Sequence, residues 1–185
     1  MHDFLNRFQN YSLKQPLIIT SILTLIAFLS MQPFLEPLII PEAPSGIISF
    51  ELAKTLEQSQ AMLSSWDTNA KINAGLSLGI DFLFLFFYSF LFALICFSVA
   101  KKYKNNIKWF YKLGIYIAFL QFAAAIFDAI ENIALIELLL GSNNDIHSSI
   151  AYYFASVKFA IIAIGIIYIV IGLITSIFHK RIVSE

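Results

Sequence analysis

Four charged side chains, Asp81, Asp128, Glu131 and Lys158, stand inside stretches otherwise fit only for lipid, with the amides Gln121 and Asn132 beside the acids. A carboxylate at a bilayer centre costs at least ~2.5–3.5 kcal/mol on insertion scales, so these groups are expected to face inward onto partners or a ligand. Carboxyls and an amine held away from water are equipped for three kinds of work. They bind a proton or a small cation, they act as general acid or base on a buried substrate, or they pair and lock helices together.

Helical spacing aims most of them one way. Gly114, Gln121 and Asp128 recur at heptad distance, and Glu131 and Asn132 follow one turn beyond Asp128 on the same side. Ala151, Lys158, Gly165 and Gly172 form a second heptad stripe whose small residues mark close helix approach in lipid, so Lys158 is expected to point inward. Tyr88 lies one heptad beyond Asp81 and shares its face. At ~1.5 Å per residue, Glu131 and Lys158 each lie ~14 Å from the outer ends of their helices and Asp81 ~11 Å, so the three share a layer. Asp128 lies a turn deeper and Gln121 deeper again. The expected site is a cup in the outer half of a bundle.

Three carboxylates against one ammonium leave two negative charges uncompensated. Protein interiors avoid that by protonation, pairing, or admitting a cation or water. A zinc or haem centre does not fit. His2, His147 and His179 fall at the amino terminus, in an outer turn and at an inner edge, and Cys96 is the sole cysteine. No cofactor is called for, although an all-oxygen cation site stays open. There is no phosphate-cradling glycine loop and no nucleophile elbow. Ser77, Ser89, Ser98 and Ser156 are expected to be helix-interface hydrogen bonders rather than nucleophiles.

The elements that must position these residues are membrane spans. The chain has 185 residues, 59% hydrophobic and only 13% charged, with a mean hydropathy of +0.78, which is a membrane composition. Twelve basic residues balance twelve acidic ones, so no global field points to nucleic acid. Spans are expected at about 17–35, 74–100, 113–140 and 149–178, forming one integral membrane domain. The first could be read as a signal peptide, but no small-x-small cleavage site follows it, and a retained span is expected. The fold class is an all-α four-helix transmembrane bundle with an amphipathic helical segment, 36–73, between the first two spans.

That segment opens with Pro37, Pro41 and Pro44, an extended connector. From Phe50 to Trp66 the apolar residues recur near helical spacing, predicting one amphipathic helix or a broken pair. Thr55-x-x-Gln58 has the form of a capping box, and Asp67-Thr68-Asn69 offers caps for the second span. The segment is either a lid over the bundle or a helix packed on the loop side. Lys101, Lys102, Lys104, Lys108 and Lys112 belong in a cytoplasmic loop. Arg7 and Lys14, and Lys180 and Arg181, fall on the same side, which puts both termini in the cytoplasm.

Gly46-Ile47-Ile48-Ser49-Phe50-Glu51-Leu52-Ala53 after the proline-rich connector, Asp81-Phe82-Leu83-Phe84, Asp128-Ala129-Ile130-Glu131-Asn132 and Lys158-Phe159-Ala160 together resemble a family of small bacterial four-span membrane proteins. The resemblance covers most of the chain and brings no activity with it. It implies a bacterial inner membrane and a place for Glu51 with the cup as a lid residue. Taken by itself, Glu51 is expected on a solvated helix face.

The functional expectation is a polytopic membrane protein that binds or transports a small ligand, amphiphile, cation or proton at Asp81, Asp128, Glu131, Asn132, Lys158, Glu51, Gln121 and Tyr88. The alternatives are a metal-independent intramembrane enzyme using a carboxyl acid/base on a lipid-like substrate, or an accessory subunit held together by these same groups. Besides the bilayer, no partner or oligomeric state is indicated.

Overall fold

The computed structural model describes residues 12–183, with side chains described from 12 to 177. Arg7 and His2 lie outside that range, as do the side chains of His179, Lys180 and Arg181.

The described chain forms six α-helices: α1 (Lys14–Leu35), α2 (Ile47–Glu51), α3 (Leu56–Ser65), α4 (Thr68–Lys102), α5 (Lys108–Leu139) and α6 (Asp145–Val183). Four of them, α1, α4, α5 and α6, are long and apolar enough to cross a membrane. They pack as a bundle in which α4 meets α5, α5 meets α6, and α1 lies against α4. The molecule is thus an all-α, multi-pass transmembrane bundle.

The four helices are not equivalent. Only 6% of the apolar window of α1 is buried, against 39% for α5, so α5 is the central helix and α1 a flanking one. Along α1 the side chains of Ile18, Ile22, Leu25 and Leu29 are exposed, a surface suited to acyl chains. The heptad glycines sit at the interior contacts. A Cβ at Gly114 would overlap the Tyr168 hydroxyl and come within 2.7 Å of Ala100 Cβ, and one at Gly165 would stand 2.7 Å from Gln121 Nε2. Where small residues recur, backbones approach.

Helices α4, α5 and α6 start before the spans expected from hydropathy, and at α4 and α6 polar residues that hydropathy does not score stand at the start. Asp67 Oδ1 accepts from the Ala70 N–H at 2.7 Å, which starts α4 at Thr68, and Asp145 stands in the first turn of α6. Gly141, at φ 97°, closes α5: its N–H reaches Leu138 O at 3.0 Å and that of Ser142 reaches Glu137 O at 3.0 Å. This pair of bonds is a Schellman stop, which needs the left-handed residue that glycine supplies.

The segment between α1 and α4 folds over one end of the bundle, here termed the cap end; the other carries the lysine loop. Of the two sequence expectations for 50–66, the broken pair is the one formed. The break falls at Leu52–Thr55 because the capping box operates: Gln58 N–H donates to Thr55 Oγ1 at 3.3 Å while Gln58 Oε1 accepts from the Thr55 N–H at 3.4 Å. Phe50 and Trp66 meet edge-on at 5.3 Å between ring centroids, both buried, and Trp66 Nε1 donates to Leu38 O at 3.1 Å. With Leu38, Ala43, Leu78, Leu135 and Leu138 they make an apolar layer across the cap end. Towards α6 the cap is pinned by polar bonds, Leu56 N–H to Asp145 Oδ1 at 3.0 Å and Ser59 Oγ with Ser148 Oγ at 3.0 Å.

Candidate functional site

Lys158, on the face of α6 that packs against α5, is 5% exposed. A buried ammonium requires oxygen partners, and here they come from two other elements. Asp128 Oδ1 lies 2.7 Å from its nitrogen, Glu131 Oε2 2.8 Å, and Glu51 Oε2 3.5 Å. Asp128 and Glu131 occupy successive turns of α5, and the four-carbon lysine stem lets one nitrogen bridge both. Glu51 is the last residue of α2 and descends from the cap.

Helix α4 completes the cluster. Tyr88 donates its hydroxyl to Asp128 Oδ2 at 2.9 Å, so both oxygens of Asp128 are occupied. Asn132 Nδ2 donates to Asp81 Oδ2 at 2.6 Å, which ties the half-buried Asp81 to α5 without a direct ion pair to the lysine. Lys158, Asp128, Glu131, Glu51 and Tyr88 therefore form one bonded set, and Asp81 with Asn132 forms a separate pair on the same two helices, α4 and α5.

Gln121 stands apart from it. Fully buried and seated against Gly165, it donates through Nε2 to Ile117 O at 3.3 Å and Ile161 O at 3.5 Å, closing the bundle below the cluster. Its heptad relation to Asp128 is real, but two helical turns place it ~10 Å further down the axis.

The solvated-face expectation for Glu51 fails, since its carboxyl is buried against Lys158. The resemblance had placed it with the cup; local polarity could not, because a five-residue helix between glycine and a helix break shows no periodicity of its own. Burial pushes the Glu51 carboxyl above its usual range; the Lys158 ammonium pulls it back and the Asp128 charge raises it again. Asp128, expected a turn deeper than Glu131, meets the ammonium as closely as Glu131 does, whereas Asp81 is held by Asn132 instead.

The serine expectation is corrected too. Ser77, Ser89 and Ser156 donate to carbonyls of their own helices, Ala74, Phe86 and Tyr152, rather than across interfaces. Sequence reasoning missed the buried Ser59–Ser148 pair and the Trp66–Leu38 bond, which depend on how the cap lies.

No family model, curated protein or solved structure matches this chain. Its function must therefore be argued from the site.

Four buried or half-buried acids around one lysine give a charge of minus three if all are ionised. Among the described residues, no group of three or more His, Cys, Asp or Glu has the geometry to hold a metal ion, and the ammonium itself occupies the centre of the acids. Asp128 is saturated with donors. Glu131 is not: although its Oε2 is close to Lys158, neither oxygen has an aligned hydrogen-bond donor, and the residue is 0% exposed. Such an arrangement can take up positive charge.

Proposed function

We propose that this chain is a multi-pass protein of a bacterial inner membrane whose acid–lysine cluster binds a small, positively charged ligand, a proton or cation, as part of a transport-type function. Its termini are cytoplasmic and its cap end faces outward, as the lysine loop between α4 and α5 favours. The observation that carries the reading is the excess of acid over base in the cluster, with Lys158 bonded to acids from α2 and α5 and Glu131 left with acceptor capacity. Buried charge in a membrane bundle is costly, and an excess of one sign is costlier than a balanced pair.

A structural clasp needs no such excess. One carboxylate would neutralise Lys158, and the Tyr88–Asp128 bond already ties α4 to α5 without Glu131 or Glu51. The test is thermal unfolding of the purified protein across pH, in sodium and in choline buffers, with Asp128→Asn and Glu131→Gln beside the wild type. The wild-type unfolding temperature should depend on pH or on the cation, and each substitution should weaken that dependence. Indistinguishable responses in all three proteins would leave the cluster as helix glue.

A further inference from the structure

Within the cluster the acids are held differently, and the difference divides their roles. Asp128 receives the lysine on one oxygen and the Tyr88 hydroxyl on the other, at 2.7 and 2.9 Å, and it is 3% exposed. Asp81 is bonded by Asn132. Glu131, fully buried, has Oε1 without any partner and Oε2 held only by the ion pair to Lys158, and Glu51 Oε2 likewise has that ion pair and no hydrogen bond. These two share the Lys158 ammonium, with Glu51 Oε2 at 3.5 Å and Glu131 Oε2 at 2.8 Å from its nitrogen, one reaching it from the cap and the other from α5. Of the three acids around the ammonium, Glu51 is the most exposed, at 9% against 3% and 0%, and the only one carried by an element outside the spans.

Two carboxylates on one ammonium repel unless a proton stands between them, in which case one donates to the other. The geometry points to the Glu51–Glu131 carboxyl pair as the exchangeable locus of the cluster, holding one proton taken up from the cap end, while Lys158, Asp128 and Tyr88 form a fixed ion pair that does not exchange. This rests on the ligand-binding reading above and names its ligand. Uptake forms one O–H bond on a carboxylate oxygen and a hydrogen bond to its neighbour, and release returns the proton to water at the cap. With Asp128, Glu131 and Glu51 ionised against Lys158, the inner group carries minus two; one proton reduces it to minus one. Among the described residues, the charged or titratable groups that act on the pair are Lys158 from α6, Asp128 from α5, and Asp81 and Tyr88 from α4.

The element that carries Glu51 also sets it apart from the fixed half. α2 is only five residues long, preceded by Gly46 at φ 59° and followed by the Leu52–Thr55 break. By contrast, the fixed half sits on helices of 35, 32 and 39 residues.

The test is infrared difference spectroscopy of the purified full-length protein in nanodiscs as a function of pH, following the carbonyl stretch of a protonated carboxyl. The wild type should show one such band that disappears on alkalinisation, and Glu51→Gln or Glu131→Gln should remove it while Asp128→Asn leaves it. Sodium in place of choline should not displace it. A band that survives in both glutamine variants and vanishes in Asp81→Asn or Asp128→Asn overturns the assignment but leaves a ligand-binding cluster standing. Displacement by sodium would overturn the choice of ligand alone. Absence of any pH-dependent band in the folded wild type overturns the proton assignment, and the ligand-binding reading falls with it only if the unfolding temperature is also indifferent to pH and to sodium. Glutamine keeps the shape of glutamate and mimics its neutral form, and gel filtration with the unfolding temperature reports whether each variant is folded.

Discussion

Lys158 is the residue whose loss should cost most. Among the described residues, its ammonium is the only cation paired with Asp128, Glu131 and Glu51. Removing one partner of a buried ion pair typically costs ~3–5 kcal/mol because the other charge is left uncompensated. Lys158→Met is therefore expected to unfold far more easily in detergent, and adding Asp128→Asn should recover part of the loss; a double variant no better than the single would mean that the lysine acts by packing alone. Glu51 yields a second prediction with a definite sign. Its carboxyl is held above the ordinary range chiefly by burial, so its contribution to stability is complete below the ordinary carboxyl range and is lost as pH climbs through the raised value. Glu51→Gln, which cannot ionise, should flatten that alkaline decline, and an unchanged profile would exclude Glu51 as its source. Asp81, Asp128, Glu131, Asn132 and Lys158 were legible in the sequence because polar residues are rare in lipid and helical spacing says which way they face. Glu51 was not legible that way, since a glutamate in a loop segment is ordinary and only the folded cap brings it inward.

Among the elements, α3 depends on its amino-terminal box. Thr55→Ala removes the acceptor for the Gln58 N–H and should cost ~0.5–2 kcal/mol locally, seen as faster amide exchange in the first turn of α3 with the spans unaffected. Equal protection in variant and wild type would show that the box contributes nothing. The glycines separate by surroundings. Gly114→Ala forces its methyl into Tyr168 and Ala100 and should lower stability by ~1–3 kcal/mol, whereas Gly79→Ala meets nothing within 4 Å and should be neutral or mildly stabilising. A reversed order would mean that the α4–α5–α6 packing differs from that described. The box was visible in Thr55-x-x-Gln58 and the α4 start in Asp67. The flanking position of α1 was not visible, because an apolar helix facing lipid and one facing protein have the same composition.

For the whole molecule, a bundle with a capped end and a lysine-loop end must have one orientation. Glu42 and Asn106 are exposed at opposite ends, and Cys96 is buried, so single cysteines introduced by Glu42→Cys and Asn106→Cys give a clean labelling pair. An impermeant maleimide should modify the first in intact cells and the second only after permeabilisation; the opposite pattern would invert the topology and put the site at the cytoplasmic face. The excess of acid over base followed from counting span residues, and the fourth acid enlarges it. The central claim, that this excess exists to take up positive charge, is tested most directly by counting protons. Purified protein in nanodiscs is given a small acid jump in weakly buffered solution, with an indicator dye reporting uptake per chain. The wild type should take up protons that the folded Asp128→Asn/Glu131→Gln double variant does not, and equal uptake by the two proteins would contradict the account.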